Sequence, residues 1–455
     1  MLIFAKIASL KIKKEHKMND ICVMILAAGE GTRMKSTKPK VLHEICGKSM
    51  LYHSINTALE ISQNVVVILG FESQRILEHL NLEFPSQMGK EIKTALQDRK
   101  NLPGTAGAVM AGMSEVSKDT LIITCADMPL ITASELKSLA NEPCDVCVGA
   151  FELENPFGYG RVVIKNNKVE KIVEQKDASE NEKAIKLCNS GAYAFKTALL
   201  KELLPQINKQ NASKEYYLTD AIALAIKSGA KVSSQSLNST NFMGVNDKIA
   251  LAAAQDKMLG LIRQKWMRAG VIMHLPNTIY IDTEASFEGE CEVESAVVIK
   301  GASIIKNSVI KSGSVIESSL VENSEVGPNA HLRPKSNIKN THIGNFVELK
   351  NATLNGVKAG HLSYLGDCEI DSGTNIGCGT ITCNYDGVKK HRTIIGKNVF
   401  VGSDTAFVAP LNIADNTLIA AGSVVTKDSS EGELVITRAK QQNIAGYFEK
   451  KFGKK

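Results

Sequence analysis

The sequence predicts an α/β protein in two parts: a mostly parallel sheet over the first half and, beyond one linker helix, a left-handed parallel β-helix of hexapeptide repeats. Three observations predict it. Up to about residue 248, short β-branched runs alternate with helical stretches. Residues 249–269 are then rich in Ala, Leu, Lys and Gln, contain no proline and are followed by Gly270. Beyond Gly270 a large apolar residue recurs every six positions. The expected boundaries are 1–248, 249–269 and 270–455. Within the first part, residues 1–17 read as an extension, and Met18 is a candidate start because the first strand begins at Ile21.

At 455 residues the chain exceeds one typical core. Hydrophobic residues make up 44% and charged ones 22%, and no apolar run approaches the length that spans a bilayer, so no membrane insertion is expected. The net charge of +6 is modest and the terminal lysines carry only Phe452 among them, which gives nucleic-acid binding little support. Ten cysteines without disulfide-framework spacing fit a reducing cytoplasm. Cys144 and Cys147 form a C-x-x-C, but no second pair completes four ligands and Val146, Val148 and Ala150 read as a strand, so buried thiols are expected there instead of zinc.

The first strand, Ile21 to Leu26, runs into Ala27-Ala28-Gly29-Glu30-Gly31-Thr32-Arg33-Met34, followed by Pro39-Lys40. Two glycines free the backbone to turn and expose N–H groups to an anion, and Arg33 and Lys40 add positive charge. The spacing is neither a Walker loop nor the G-x-G-x-x-G of dinucleotide folds. A phosphate cradle and an ordinary strand-to-helix turn both fit it. Further strands are expected at Val65 to Leu69, Leu121 to Thr124, Val146 to Phe151 and Val162 to Ile164. Ligands of such sheets bind beyond the carboxyl ends of the strands, where the Gly29 loop falls. Asp127 follows the strand at Leu121 and could either hold a divalent cation or cap the next helix.

In the second half the inward series reads Ile304, Ile310, Ile316, then after one shortened step Leu320, Val326, Leu332, Ile338, and later Ile395, Val401, Phe407, Ile413, Ile419, Val425. A helix would show intervals of three and four, and a sandwich would alternate. Three such units make one triangular coil. The period is interrupted at Gly360-His361 to Asp367, Asn375 to Thr380 and Cys383-Asn384-Tyr385-Asp386-Gly387, where function is expected. His361 is the candidate base for deprotonating an amine, although a lone histidine is also an ordinary structural residue.

The glycine loop with Pro39-Lys40, together with Asp127, Gly158-Tyr159-Gly160-Arg161, Val173-Glu174, Asn189-Ser190-Gly191 and Gly244-Val245-Asn246, resembles the sugar-nucleotide pyrophosphorylase family. The resemblance implies a Rossmann-like nucleotidyltransferase domain in which a sugar phosphate attacks the α-phosphate of a nucleoside triphosphate. It places Leu26, Ala27, Ala28 and Gly29 against the nucleotide, Arg33 and Lys40 on the phosphates, and Gln97, Gly104 and Thr105 on uracil. Asp127 and Asn246 would hold Mg²⁺, and Gly160, Glu174, Asn189 and Asn246 would contact an N-acetylhexosamine. Two departures stand out: Gly104-Thr105-Ala106-Gly107 replaces Gly-Thr-Gly-His after a longer Asp98–Pro103 segment, and Cys125 replaces a common Tyr.

With the second half included, the chain is similar to the bacterial family that joins an N-acetylglucosamine-1-phosphate uridyltransferase to a glucosamine-1-phosphate N-acetyltransferase. That resemblance makes His361 the general base and assigns Arg333, Lys350, Tyr364 and Asn375 to the sugar phosphate. It assigns Cys378, Asn384, Tyr385, Ser403, Ala421 and Arg438 to acetyl-CoA, with Asn384 orienting His361 and Lys390 adding charge. Cys378 stands where Ala is usual. UTP, acetyl-CoA and glucosamine-1-phosphate are the implied substrates, and a homotrimer the implied assembly.

Overall fold

A computed structural model describes residues 20–453. The expectations for residues 1–17 and Met18 lie outside them. The chain divides into two compact units between Met258 and Leu259, inside a helix that runs from Lys248 to Arg268. Asp247 starts that helix by accepting from the Ala250 N–H at 2.9 Å.

The first unit is built on a sheet whose strands lie in the order Val232–Ser236, Val146–Glu152, Leu187–Lys196, Thr120–Cys125, Ile21–Leu26, Val65–Leu69, Ile92–Leu96. Leu187–Lys196 runs antiparallel to both neighbours, and the other pairs of this path are parallel. Both faces are covered, which is why the central strand is apolar throughout. Val23 and Ile25 enter one core, while Cys22 and Met24 enter the other. Ile21–Leu26 pairs with Val65–Leu69 on one side and Thr120–Cys125 on the other. Strand order reverses there, so a crevice opens beyond Leu26.

The second unit is a parallel β-helix with three faces of ten, nine and eight strands, left-handed as its class of repeat implies. Ile310, Ile316, Val326, Leu332, Ile338, Val401, Phe407 and Ile419 point inward and are fully buried. Two expected core positions are corrected. Ile304 is 37% exposed and Leu320 half-buried, because in the short strands Ile304–Lys306 and Leu320–Glu322 it is the middle residue, Ile305 or Val321, that turns inward. Side chains alternate along a strand, so a step of five at this corner moves the buried position by one.

The expected interruption at Gly360 to Thr380 is also corrected. The ladder runs unbroken through it, pairing Asn345 with His361, Tyr364 with Glu348 and Lys358 with Asn375. The period only looked broken because Ala359 and Thr382 fill inward positions with a small and a polar side chain. Thr382 is satisfied there by donating to the Gly366 carbonyl at 2.9 Å. The insertion that does lengthen a coil is the corner between Ile381–Cys383 and Thr393–Ile395. At the other end, Trp266 lies edge-on to Phe287 with ring centroids 5.1 Å apart and joins the core of the first coil.

Candidate active sites

A cavity of about 550 Å³ opens at the end of Ile21–Leu26, lined by Leu26, Ala27, Ala28, Gly29, Lys40, Gln97, Gly104, Thr105, Cys125 and Asp127, and also by Arg99, Lys100 and Glu215. Nine of the expected nucleotide residues therefore share one wall system. Lys40 is steered into it by Gly31. A Cβ at Gly31 would come within 2.5 Å of the Lys40 Cβ, and its φ of +66° is one that glycine tolerates. Arg33 is not in the lining. It sits exposed on the short turn Thr32–Met34, where its charge acts on the Tyr159 phenol.

Lys40 Nζ donates to Asp127 Oδ2 and, at 2.8 Å, to Asn246 Oδ1. Residues from three distant segments thus converge on one cation. Asp127 does not cap the helix that follows: Thr132 does, in a reciprocal box with Glu135. Among the described residues no group of three or more His, Cys, Asp or Glu gathers, but one carboxylate and one amide oxygen around a single positive charge suit Mg²⁺. That ion keeps few protein ligands and completes its shell with phosphate oxygens and water. Beside this pair, desolvation and then the Asp127 charge push the Cys125 thiol up to about 12.

Gly160, Glu174 and Asn189 form a neighbouring cluster outside the cavity lining. A Cβ at Gly160 would sit 3.4 Å from both Asn189 Cβ and Glu174 Oε2. Burial raises the Glu174 carboxyl above its ordinary range, partly offset by a 3.2 Å bond from Thr219. Asn189 donates to the Tyr193 hydroxyl at 2.6 Å. Arg161 of the same motif is buried and donates to the Tyr159 carbonyl and to Gln175 Oε1 at 2.8 Å, so it braces the Gly158–Gly160 turn.

The altered Gly104–Gly107 wall has a physical explanation. Gln97 Nε2 donates to the carbonyls of Leu102 (2.8 Å) and Gly104 (3.0 Å), folding the longer segment back. A Cβ on Gly107 would lie 2.1 Å from the Leu102 carbonyl oxygen, so this path of the loop requires glycine at 107 and leaves no room for the histidine that the resemblance led one to expect. Gly104, at φ +93°, would meet the Tyr216 carbonyl at 2.6 Å. Thr105 Oγ1 accepts from the Leu218 N–H at 2.9 Å. The Gln97 amide nitrogen is thus held by this loop, which leaves its oxygen as the group free to meet a base.

In the second unit the expected acetyl-transfer residues fall into four places. His361, Cys378, Ser403 and Ala421 stand exposed along one corner, on successive coils. The column is tied by bonds from Gly379 N to Leu362 O, Asp404 N to Cys378 O and Gly422 N to Ser403 O, and Arg438 Nη1 reaches Ala421 O at 2.7 Å. Arg333 and Lys350 pair in register on the next face, where Lys350 pairs with Gly366. Any Cβ on Gly366 would meet the Tyr364 hydroxyl at 2.4 Å and Asn384 Nδ2 at 2.8 Å. Lys390, by hydrogen bonding and then by like charge, followed by desolvation and the Arg333 charge, lowers the Lys350 pKa, so three cations gather where a phosphate is expected. Asn375 is on a different face from the cations, in the ladder that carries His342, Lys358 and the strand ending in His361, and it precedes the Cys378 corner. Asn384 gives its amide to Asp367 at 2.5 Å, a partner that carried no signal in the sequence. Tyr385 lies exposed on the inserted corner, its hydroxyl donating to Gly387 O at 2.6 Å.

A crevice at a sheet's switch point is thus followed along the chain by a three-sided parallel β-helix. The description "MobA-like NTP transferase domain" matches residues 23–185. Over nearly their whole length, three curated relatives are similar, each named "Bifunctional protein GlmU". The one from Campylobacter fetus is 59% identical over 96% of this chain and 99% of its own. Those from Campylobacter concisus and Campylobacter curvus are 56% and 55% identical, each over 96% of this chain and 98% and 99% of theirs. The chain belongs to the bifunctional GlmU family. It is an enzyme with acetyltransferase and uridyltransferase activities for the synthesis of UDP-N-acetylglucosamine. Among the described residues no helix is long and apolar enough to cross a membrane.

Proposed function

We propose that the second unit acts first, moving the acetyl group of acetyl-CoA to glucosamine-1-phosphate, and that the first unit then joins the product to the uridylyl group of UTP. His361 takes a proton from the substrate amine as the nitrogen bonds to the thioester carbonyl carbon, and the C–S bond breaks to release CoA. Arg333, Lys350 and Lys390 hold the sugar phosphate by charge, with Tyr364 beside them and Asn375 contributed from another copy. Cys378, Asn384, Tyr385, Ser403, Ala421 and Arg438 bind acetyl-CoA. The exposure of the His361 corner and the separation of Asn375 support a homotrimer whose acetyl sites lie between subunits.

In the first unit Leu26 to Gly29, Gln97, Gly104 and Thr105 seat the nucleotide, while Gly160, Glu174 and Asn189 orient N-acetylglucosamine-1-phosphate. A phosphate oxygen of that sugar bonds to the α-phosphorus of UTP as the bond to pyrophosphate breaks, with Lys40 and Arg33 neutralising the charge that develops. Asp127 and Asn246 hold Mg²⁺, which supplies further neutralisation of the phosphate oxygens. The convergence of Lys40, Asp127 and Asn246 on one point carries this reading. The enzyme works in the cytoplasm and feeds peptidoglycan and lipopolysaccharide precursors. Incubation with glucosamine-1-phosphate, acetyl-CoA, UTP and Mg²⁺ should yield free CoA, pyrophosphate and UDP-N-acetylglucosamine. Release of CoA without pyrophosphate, or the reverse, would contradict it.

A further inference from the structure

The cavity of the first unit carries two cations that the phosphate-loop motif does not include. Arg99 and Lys100 line it from the lengthened segment Asp98–Pro103. Arg99 Nη2 reaches across to Glu30 Oε2 of that loop at 3.3 Å. Lys100 makes no ion pair among the described residues.

The segment does not need the ion pair to hold its shape. Asp98 accepts from the N–H groups of Lys100 and Asn101, both at 3.1 Å, and from Asn101 Nδ2 at 2.6 Å. The Leu102 N–H returns to the Asp98 carbonyl at 2.8 Å. Gln97 fixes the far end, and only a glycine at 107 lets the Leu102 carbonyl settle so close. The loop is therefore a preformed arm that ends in two cations. The pair it makes is half-exposed, with side chains 41% and 49% accessible, and exposed ion pairs are weak and readily exchanged.

We infer that Arg99, with Lys100 beside it, is a further binding residue for the polyphosphate of the nucleoside triphosphate, and that the Arg99–Glu30 pair is a latch that Glu30 surrenders when the nucleotide enters. A guanidinium that reaches the phosphate loop's own carboxylate is placed to reach a phosphate bound on that loop. The triphosphate outbids a single carboxylate because it offers more charge and two oxygens to the planar fork. The inference rests on the uridylyl-transfer reading of this cavity.

The test is steady-state kinetics of both half-reactions on the full chain and on Arg99→Ala, Arg99→Lys, Lys100→Ala and Glu30→Gln. Arg99→Ala should raise KM for UTP about tenfold or more and weaken inhibition by pyrophosphate, with KM for N-acetylglucosamine-1-phosphate and the rate of acetyl transfer unchanged. Lys100→Ala should shift KM for UTP in the same direction by less, and Arg99→Lys should recover part of the loss. Glu30→Gln should lower KM for UTP about two- to fivefold, because it removes the competing carboxylate. The opposite signs matter: a pair that only braces the loop would give the same change from either side. Equal-direction effects of Arg99→Ala and Glu30→Gln, or none, would overturn the latch. No release of pyrophosphate by the unaltered chain would instead overturn the uridylyl reading, and the latch with it.

Discussion

In the first unit Lys40, Asp127 and Asn246 come from segments far apart in the chain and meet inside a cavity. In the second, His361, Cys378, Ser403 and Ala421 stand one per coil along an exposed corner. A parallel sheet brings strand ends together at its switch point, so one chain can enclose a nucleotide. A β-helix sets residues in straight columns on flat walls, so its cations stand on one face, while Asn375 and the strand that ends in His361 share another. The contrast teaches that the first site is built by convergence and the second by repetition. The second therefore gains from being closed by other copies, as the proposed trimer would close it.

The largest expected effects separate the two. Asp127→Ala should lower kcat for uridylyl transfer about 10³-fold, because it removes a carboxylate from the charge-stabilising centre. His361→Ala should lower acetyl transfer about 10²- to 10⁴-fold through loss of the general base. Each half-reaction is followed with its own substrates, by pyrophosphate release and by CoA release.

The architecture of repetition is tested next by a pair of adjacent residues. Ile305→Ala should destabilise the β-helix by about 2–5 kcal/mol in chemical denaturation, whereas Ile304→Ala should cost about 0.5 kcal/mol. Equal costs would mean that the inward register at this face is wrong.

That register marks where the sequence could be read and where it could not. The strands Ile21–Leu26 and Val65–Leu69 were legible because their apolar runs are buried, and the helix near 248–268 because it is rich in strong helix formers and contains no proline. The six-residue period revealed the β-helix. Ile304 and Ile305 could not be told apart, since two adjacent isoleucines satisfy the same pattern and only the ladder decides. The supposed break near Gly360 arose because Ala359 and Thr382 fill the core without being large and apolar. At the sites, the glycine loop and Asp127 were visible as motifs. Arg99, Asp367 and Glu215 were not, because their placement depends on a loop of unusual length and on contacts across coils.

The two unusual cysteines offer a finer comparison. Cys378 is the exposed thiol among the ten, and alkylation by iodoacetamide should suppress acetyl transfer several-fold while leaving uridylyl transfer intact. Cys378→Ala should make acetyl transfer resistant. Cys125 lines the cavity, but with its thiol pushed up to about 12 it carries almost no thiolate at neutral pH and should remain unmodified in peptide mapping.

The smallest effect concerns Glu174. Burial raises its folded-state pKa, so the stability tied to its proton is present below the unfolded value near 4.5 and is lost as pH rises through the raised value. Glu174→Gln should therefore leave Tm unchanged near pH 4 and raise it by about 2–4 °C at pH 8. The same variant should weaken binding of the sugar phosphate.

Independence of the two sites is most directly tested by mixing the purified Asp127→Ala and His361→Ala proteins and following UDP-N-acetylglucosamine formed from glucosamine-1-phosphate, acetyl-CoA and UTP. Each variant alone should make almost none, and the mixture should restore synthesis because the acetylated sugar phosphate passes between proteins. A mixture as inactive as its components, with either variant deficient in both half-reactions, would contradict two separable sites.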